Sequence, residues 1–340
     1  MTVADFSDAA ALAEAVIDGQ GSGQGRSALS RAITMIESTR ADHRETARTL
    51  HSLLAPAAGQ SIRLGISGAP GAGKSTLIEA LGQWLLGAGH RVGVLAVDPT
   101  SSRTGGSVLG DKTRMPGLAA NPDAYVRPSP TSGTLGGVAR ATAQSITVLE
   151  AAGFDVVIVE TVGVGQSETT VAAMVDTFAL LTLSRTGDQL QGMKKGVLEL
   201  ADILAVNKSD GQHLAEAQLA ARELTGAIRL VRGKDDWVPP VLNCSGLTGA
   251  GIETLWTTVG EHRRFLGERG LSQKRSGQQV ELTWALVRDE LELRLRQSPG
   301  IRRVEASITE AVAAGHLSPA AGADELLQAF DLPVHDSDHA

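Results

Sequence analysis

Two periodicities divide the chain. Through residues 5–55 the apolar positions recur at helical spacing and no strand-like run occurs; in "ALSRAITMIEST" Leu29, Ala32, Ile33 and Ile36 share one face. "SGQG" (22–25) reads as a loop ahead of that helix and "PAAGQ" (56–60) as a linker. From residue 61 the pattern changes to short apolar runs separated by helical stretches. Strands are predicted at "IRLGIS" (62–67), "VGVLAV" (92–97), "FDVVIVE" (154–160), "TFALLTL" (177–183), "DILAVN" (202–207) and "PVLNCS" (240–245). Helices at 73–88, 135–152 and 212–225 fall between them. Near-continuous Val/Ile/Leu runs imply a parallel sheet covered on both faces. After about residue 250 the strands stop, and four helical stretches lead to a polar tail, "PVHDSDHA". The expected class is α/β, with an N-terminal helical segment (1–58), a core with a mainly parallel sheet (59–258) and a C-terminal helical segment (259–340).

Composition narrows the partners. The chain has 340 residues, 42% hydrophobic and 20% charged, enough for one large domain with additions. No apolar stretch reaches the length of a membrane span, and the acidic start "MTVADFSDAAALAEAV" does not read as a secretory signal. A net charge of -7 argues against nonspecific nucleic-acid binding. Cys244 is the one cysteine, so no internal disulfide is available and a cytoplasmic location fits.

Three stretches carry chemistry. "GAPGAGKST" (Gly68, Ala69, Pro70, Gly71, Ala72, Gly73, Lys74, Ser75, Thr76) fits G-x-x-x-x-G-K-[ST] and stands between a predicted strand and a predicted helix. Glycines there let backbone N–H groups turn toward phosphate oxygens, and the helix N-terminus favours the anion. Lys74 is expected on the β- and γ-phosphates and Ser75 on Mg²⁺. "NKSD" ends the strand "DILAVN", where ligands of α/β sheets collect. The Asp210 carboxylate can accept from N1–H and N2–H₂ of guanine, a donor pair that adenine lacks, so it selects GTP. Asn207 braces the loop and Lys208 lays its methylene stem over the base. "CSGLTGAG" (244–251), with Ser245, Gly246 and Leu247, completes the base pocket, and Cys244 reads as a small buried residue.

The third is "VVIVETVGVGQSE" (156–168), where an apolar strand ends in an acid. Glu160 is placed to hold Mg²⁺ or its water, as the Asp of D-x-x-G does in many GTPases. Gly163 is placed to approach the γ-phosphate and let its loop move. Many GTPases orient the attacking water with Gln after that Gly; here Val164 follows, and Gln166 nearby is left unassigned. Asp98 and Asp111 bracket most of the glycine-rich run "DPTSSRTGGSVLGDKTRM" (98–115); each is open between Mg²⁺ or water positioning and ordinary turn chemistry. Spacing does not place Arg140 or Arg185.

Together with "RPSPTSGTLGGV" (127–138) and "RTGDQLQGMKKGVLELADILAVNKSD" (185–210), these stretches resemble the MeaB/ArgK/MMAA family of P-loop GTPases, from about residue 28 to the C-terminal helices. The resemblance implies a P-loop GTPase core and a homodimer held largely by the C-terminal helices. It implies a chaperone that gates cobalamin loading and protection of an adenosylcobalamin-dependent acyl-CoA mutase, most often methylmalonyl-CoA mutase, by GTP binding and hydrolysis to GDP. It assigns Asp98, Asp111 and Glu160 to Mg²⁺ and hydrolysis, the Glu being the family's own choice. Its third mobile loop matches 185–196, where Asp188, Gln191 and Lys194 couple partner binding to the nucleotide. A kinase or ATPase linked to amino-acid transport, an old label in the family, and a non-hydrolysing GTP-dependent scaffold are the alternatives. No D-x-H-x-x-G corrinoid pattern occurs, and the eight His residues are scattered, which disfavours nickel or cobalt insertion.

Overall fold

The computed structural model describes residues 8–38, 40, 42–98, 114–130, 135–161, 167–184 and 195–331. Three helices open the chain: α1 (Ala9–Asp18), α2 (Gly23–Glu37) and α3 (His43–Leu54). The predicted face of α2 is the one that packs, with Leu29, Ala32, Ile33 and Ile36 all buried. Next come β1 (Ile62–Gly68), α4 (Lys74–Gly87), β2 (Val92–Asp98), α5 (Pro116–Ala120), β3 (Ala124–Pro130), α6 (Leu135–Ala151) and β4 (Val156–Thr161). They are followed by α7 (Ser167–Ala172), β5 (Thr177–Leu183), α8 (Lys195–Leu200), β6 (Ile203–Asn207), α9 (Leu214–Arg232) and β7 (Val241–Asn243). The seven strands form one sheet in the order β3-β2-β4-β1-β5-β6-β7, and every ladder is parallel. β3 is the strand the pattern did not predict. It carries Pro128 and Pro130 and lies at the sheet edge, where a missing ladder N–H is tolerated.

The pleat sorts side chains between two cores. Val157 and Val159 of β4 join α1–α3 and α6 on one face, whereas Val156 and Ile158 join α4 on the other. In β6, Ile203 and Ala205 lie on the α4 face, whereas Leu204 and Val206 pack under α9. Glu160 and Asn207 continue the α4-facing series of their strands. Alternation therefore turns both polar residues toward the start of α4.

After β7 come α10 (Ile252–Gln297), which contains a non-helical Gly267 at φ 60°, then α11 (Pro299–Ala313) and α12 (Pro319–Asp331). The chain divides into two compact units, Met1–Glu281 and Leu282–Ala340. In the second, α11 and α12 pack so closely that a Cβ on Gly300 would lie 2.0 Å from the Ala329 carbonyl oxygen. Among the described residues no helix is long and apolar enough to cross a membrane.

Candidate functional site

β1, β4 and β6 are parallel, so their C-terminal ends bring three of the predicted stretches to one edge of the sheet. The first is the loop from Gly68 to Gly73. Gly68 (φ 151°) and Gly73 (φ 86°) adopt backbone conformations that disfavour a side chain, and neither has room for one. A Cβ on Gly68 would lie 2.4 Å from the Leu181 carbonyl oxygen, and one on Gly73 2.7 Å from Asn207 Nδ2. Ala72 is buried, Ala69 half-buried, and Pro70, Gly71 and Thr76 exposed. Lys74 is only 7% exposed, and its Nζ donates to the carbonyls of Gly68 (2.8 Å) and Ala69 (3.2 Å). Burial lowers the pKa of its ammonium; the Glu160 and Glu168 carboxylates oppose that shift, and the Arg114 guanidinium adds to it.

The second stretch supplies Glu160, 8% exposed, whose Oε1 accepts from Ser75 Oγ at 3.0 Å. A hydroxyl and a carboxylate oxygen at that separation are the hard donors that Mg²⁺ prefers, so these residues fit the ion that the motif implies. Among the described residues no group of three His, Cys, Asp or Glu gathers to hold a metal without help. On the opposite face of the sheet, Thr161 Oγ1 donates to Ser67 Oγ at 2.6 Å, joining the ends of β4 and β1.

The third stretch joins both neighbours. Buried Asn207 donates from Nδ2 to the carbonyls of Ala72 (2.8 Å) and Gly73 (3.4 Å), and its Oδ1 accepts from the Gly246 N–H at 3.2 Å. Lys208 is exposed and left-handed at φ 59°, the one such non-glycine residue among those described. Asp210 is half-buried, and its Oδ2 accepts from the Ser245 hydroxyl. Ser245 Oγ in turn accepts from Thr248 N–H at 3.1 Å. A Cβ on Gly246 would lie 2.7 Å from the Leu77 nitrogen, so only glycine lets this turn rest on α4. Leu247 is 81% exposed beside it, and Cys244 is buried, its thiol pKa pushed up to about 12 by desolvation.

The strand ends thus gather Lys74, Ser75, Glu160, Asn207, Asp210, Ser245 and Gly246. Asp111, Gly163, Val164, Gln166, Arg185, Asp188, Gln191 and Lys194 lie outside the described residues, and Asp98 is described only as the last backbone position of β2. Arg140 is half-buried on α6. One acid that the sequence reading did not single out is Glu168. It is 6% exposed in the first turn of α7 and acts on Lys74. Its position after "VGVGQS" was visible, but no motif marks it.

The chain is 59% identical to a Mycobacterium tuberculosis protein named a probable GTPase, over 91% of this chain and 93% of that one. It is 44% identical to the mouse methylmalonic aciduria type A homolog, mitochondrial, over 90% of this chain and 76% of that one. It is 42% identical to the Escherichia coli GTPase ArgK, over 92% and 95% of the respective chains. A solved crystal structure named LAO/AO transport system kinase superposes with a TM-score of 0.73 at 34% identity, covering 96% of this chain and 99% of its own. Residues 29–300 match the family described as Methylmalonyl Co-A mutase-associated GTPase MeaB, and the chain belongs to that family of P-loop GTPases.

Proposed function

We propose that the protein binds GTP with Mg²⁺, hydrolyses it to GDP and phosphate, and uses that cycle to gate cobalamin loading and protection of an adenosylcobalamin-dependent acyl-CoA mutase. Methylmalonyl-CoA mutase is the first partner to test, because the matched family carries its name. One observation carries the nucleotide reading. Asn207 hydrogen-bonds the loop that holds Lys74, and Asp210 and Ser245 stand bonded at the same strand ends.

In this reading the backbone amides of residues 69–74 and the Lys74 ammonium bind the β- and γ-phosphates. They stabilise the charge that develops as water attacks the γ-phosphorus in line. Ser75 and Glu160, with Asp98 and Asp111, hold the Mg²⁺, which when bound neutralises phosphate charge. Asp111 also takes part in hydrolysis. Asp210 selects guanine, while Lys208, Ser245, Gly246 and Leu247 enclose the base. Gly163, Asp188, Gln191 and Lys194 couple the mutase to the nucleotide.

The protein acts as a cytoplasmic homodimer through its C-terminal helices. Support for that surface comes from Trp284 (60% exposed) and Leu291 (51%), both on α10. Its partners include neither nucleic acid nor membrane. The test is GTP turnover by the purified protein, alone and with each cobalamin-dependent mutase of its host. Stimulation by one mutase supports the chaperone role and identifies the partner. Basal turnover that no mutase changes overturns the mutase role and leaves the GTPase, and GTP binding without turnover leaves the scaffold.

A further inference from the structure

β1 and β4 separate at the site. Their ladder ends at the pair Ile66 and Glu160. Beyond it each strand stays with its outer neighbour: β1 follows β5 as far as Gly68 opposite Leu181, and β4 follows β2 as far as Thr161 opposite Val97. The two strands also send their next helices to opposite faces, since Leu77 and Ile78 of α4 join one core and Val171 of α7 joins the other. A parallel sheet opens at such a switch point, and ligands enter there.

Two side-chain bonds cross the opening, one on each face. Glu160 Oε1 accepts from Ser75 Oγ on the α4 face. Thr161 Oγ1 donates to Ser67 Oγ at 2.6 Å on the other. Ser67 and Thr161 directly follow the last ladder pair, and both are fully buried. Thr161 continues the series of Val157 and Val159 toward the apolar core of that face. The hydroxyl bridge thus sets the spacing of β1 and β4 beside Glu160, where the backbone ladder has ended. Threonine suits this place, because its branched Cβ restricts χ1 and keeps the hydroxyl aimed at one partner. Groups that hold a metal ligand in place govern metal affinity nearly as strongly as the ligands do.

Resting on the nucleotide and Mg²⁺ reading above, we infer that Thr161 and Ser67 are positioning residues: their buried bridge holds the end of β4 against β1 so that Glu160 meets Mg²⁺ beside Ser75. Neither hydroxyl touches the ion in this arrangement, and both act through the Glu160 carboxylate.

The experiment measures GTPγS affinity across a series of Mg²⁺ concentrations, and melting temperature without nucleotide, in the full-length protein. The variants are Thr161→Val, Thr161→Ser, the Ser67→Ala/Thr161→Val pair, Glu160→Gln and the Glu160→Gln/Thr161→Val pair. Thr161→Val keeps the branched Cβ and exchanges the hydroxyl for a methyl. It is expected to raise the Mg²⁺ concentration that half-maximally tightens GTPγS by about tenfold, the low end for a group that orients a metal ligand. Thr161→Ser should restore the unmodified dependence. The Ser67→Ala/Thr161→Val pair removes both buried hydroxyls, so it should regain melting temperature lost by Thr161→Val and still keep the Mg²⁺ shift, which separates positioning from stability. In Glu160→Gln, adding Thr161→Val should cause no further shift, because both changes act through one carboxylate. An unshifted Mg²⁺ dependence in Thr161→Val, or in the Ser67→Ala/Thr161→Val pair should the single variant not fold, overturns the inference and leaves the nucleotide site standing. A shift that Thr161→Ser retains overturns the role of the hydroxyl, and one that persists in full in Glu160→Gln overturns the route through Glu160. Failure of the unmodified protein to bind GTPγS, or binding that Mg²⁺ does not change, overturns the site reading and this inference with it.

Discussion

Asn207 and Ala72 are 135 residues apart in sequence, yet the Asn207 amide donates to the Ala72 carbonyl at 2.8 Å. The same side chain accepts from Gly246, so one buried residue joins the phosphate loop to the turn after β7. Asn207→Ala removes the partner of the buried Ala72 carbonyl and of the half-buried Gly246 N–H. Urea denaturation is expected to show a loss of about 1–3 kcal/mol, with weakened affinity for GTP and GDP alike. Stability and affinity both equal to those of the unmodified protein would show that the bridge carries no weight.

Lys74→Ala should abolish tight nucleotide binding. Lys74 is held at the mouth of the loop by the Gly68 and Ala69 carbonyls, so no other side chain of the loop can replace its charge. Glu160→Gln removes the anionic acceptor of the Ser75 hydroxyl and should raise the Mg²⁺ concentration needed for half-maximal turnover. Calorimetric titration with GTP checks the first, and an Mg²⁺ titration of turnover checks the second. Unchanged GTP affinity in Lys74→Ala would sink the site assignment.

Asp210→Asn exchanges a two-acceptor carboxylate for a group with one acceptor and one donor. The variant should lose discrimination against xanthosine nucleotides, whose 2-oxo group accepts where guanine donates. Ser245 keeps a carbonyl oxygen to donate to, so the loop should hold its shape. Competition between GTP and XTP reads the outcome, and an unaltered preference would remove the guanine assignment.

At the opposite end of the sheet, Asp176 is fully buried just ahead of β5 and accepts from Arg275 Nε (2.8 Å), Arg263 (2.9 Å) and the Arg63 N–H (3.0 Å). Lys274 adds a bond to the Asp176 carbonyl at 2.7 Å. Asp176→Ala takes the carboxylate from two guanidinium groups, which keep only carbonyl partners at Gly59 and Ser61, and should cost about 3 kcal/mol, the low end for breaking a buried ion pair. A chemical-denaturation midpoint within error of the unmodified protein would refute it.

Cys244 makes a prediction about reactivity. Burial holds its thiol pKa at about 12, above an ordinary cysteine, so the thiolate is scarce at pH 8. Iodoacetamide should label the unfolded protein quickly and the native protein slowly, with the native rate still rising as the pH approaches the thiol's pKa. Equal rates at pH 8 would contradict the burial.

Much of the site was legible because its chemistry is contiguous. "GAPGAGKST" and "NKSD" each occupy one turn after an apolar strand, so local pattern placed Lys74, Ser75, Asn207 and Asp210 at strand ends. The parallel sheet was likewise legible from its unbroken Val and Ile runs. β3 was not, because "AYVRPSP" carries two prolines and reads as a loop until a neighbouring strand is there to pair with it.

What the sequence by itself determined, then, is the local conformation and the parity of each strand, which sets the face that Glu160 and Asn207 share with their apolar neighbours. What only the tertiary structure decided is which residues that face meets. β1 lies between β4 and β5, and that order brings Ser75 against Glu160 and seats Asn207 on Ala72. The bonds from the Gly117 and Leu118 N–H groups to Glu79 of α4, with the Leu118 side chain against Gly82, belong to the same class. Periodicity along one chain reports which way a side chain points. Its partner is set by the packing of segments far apart in sequence, and no local pattern records it.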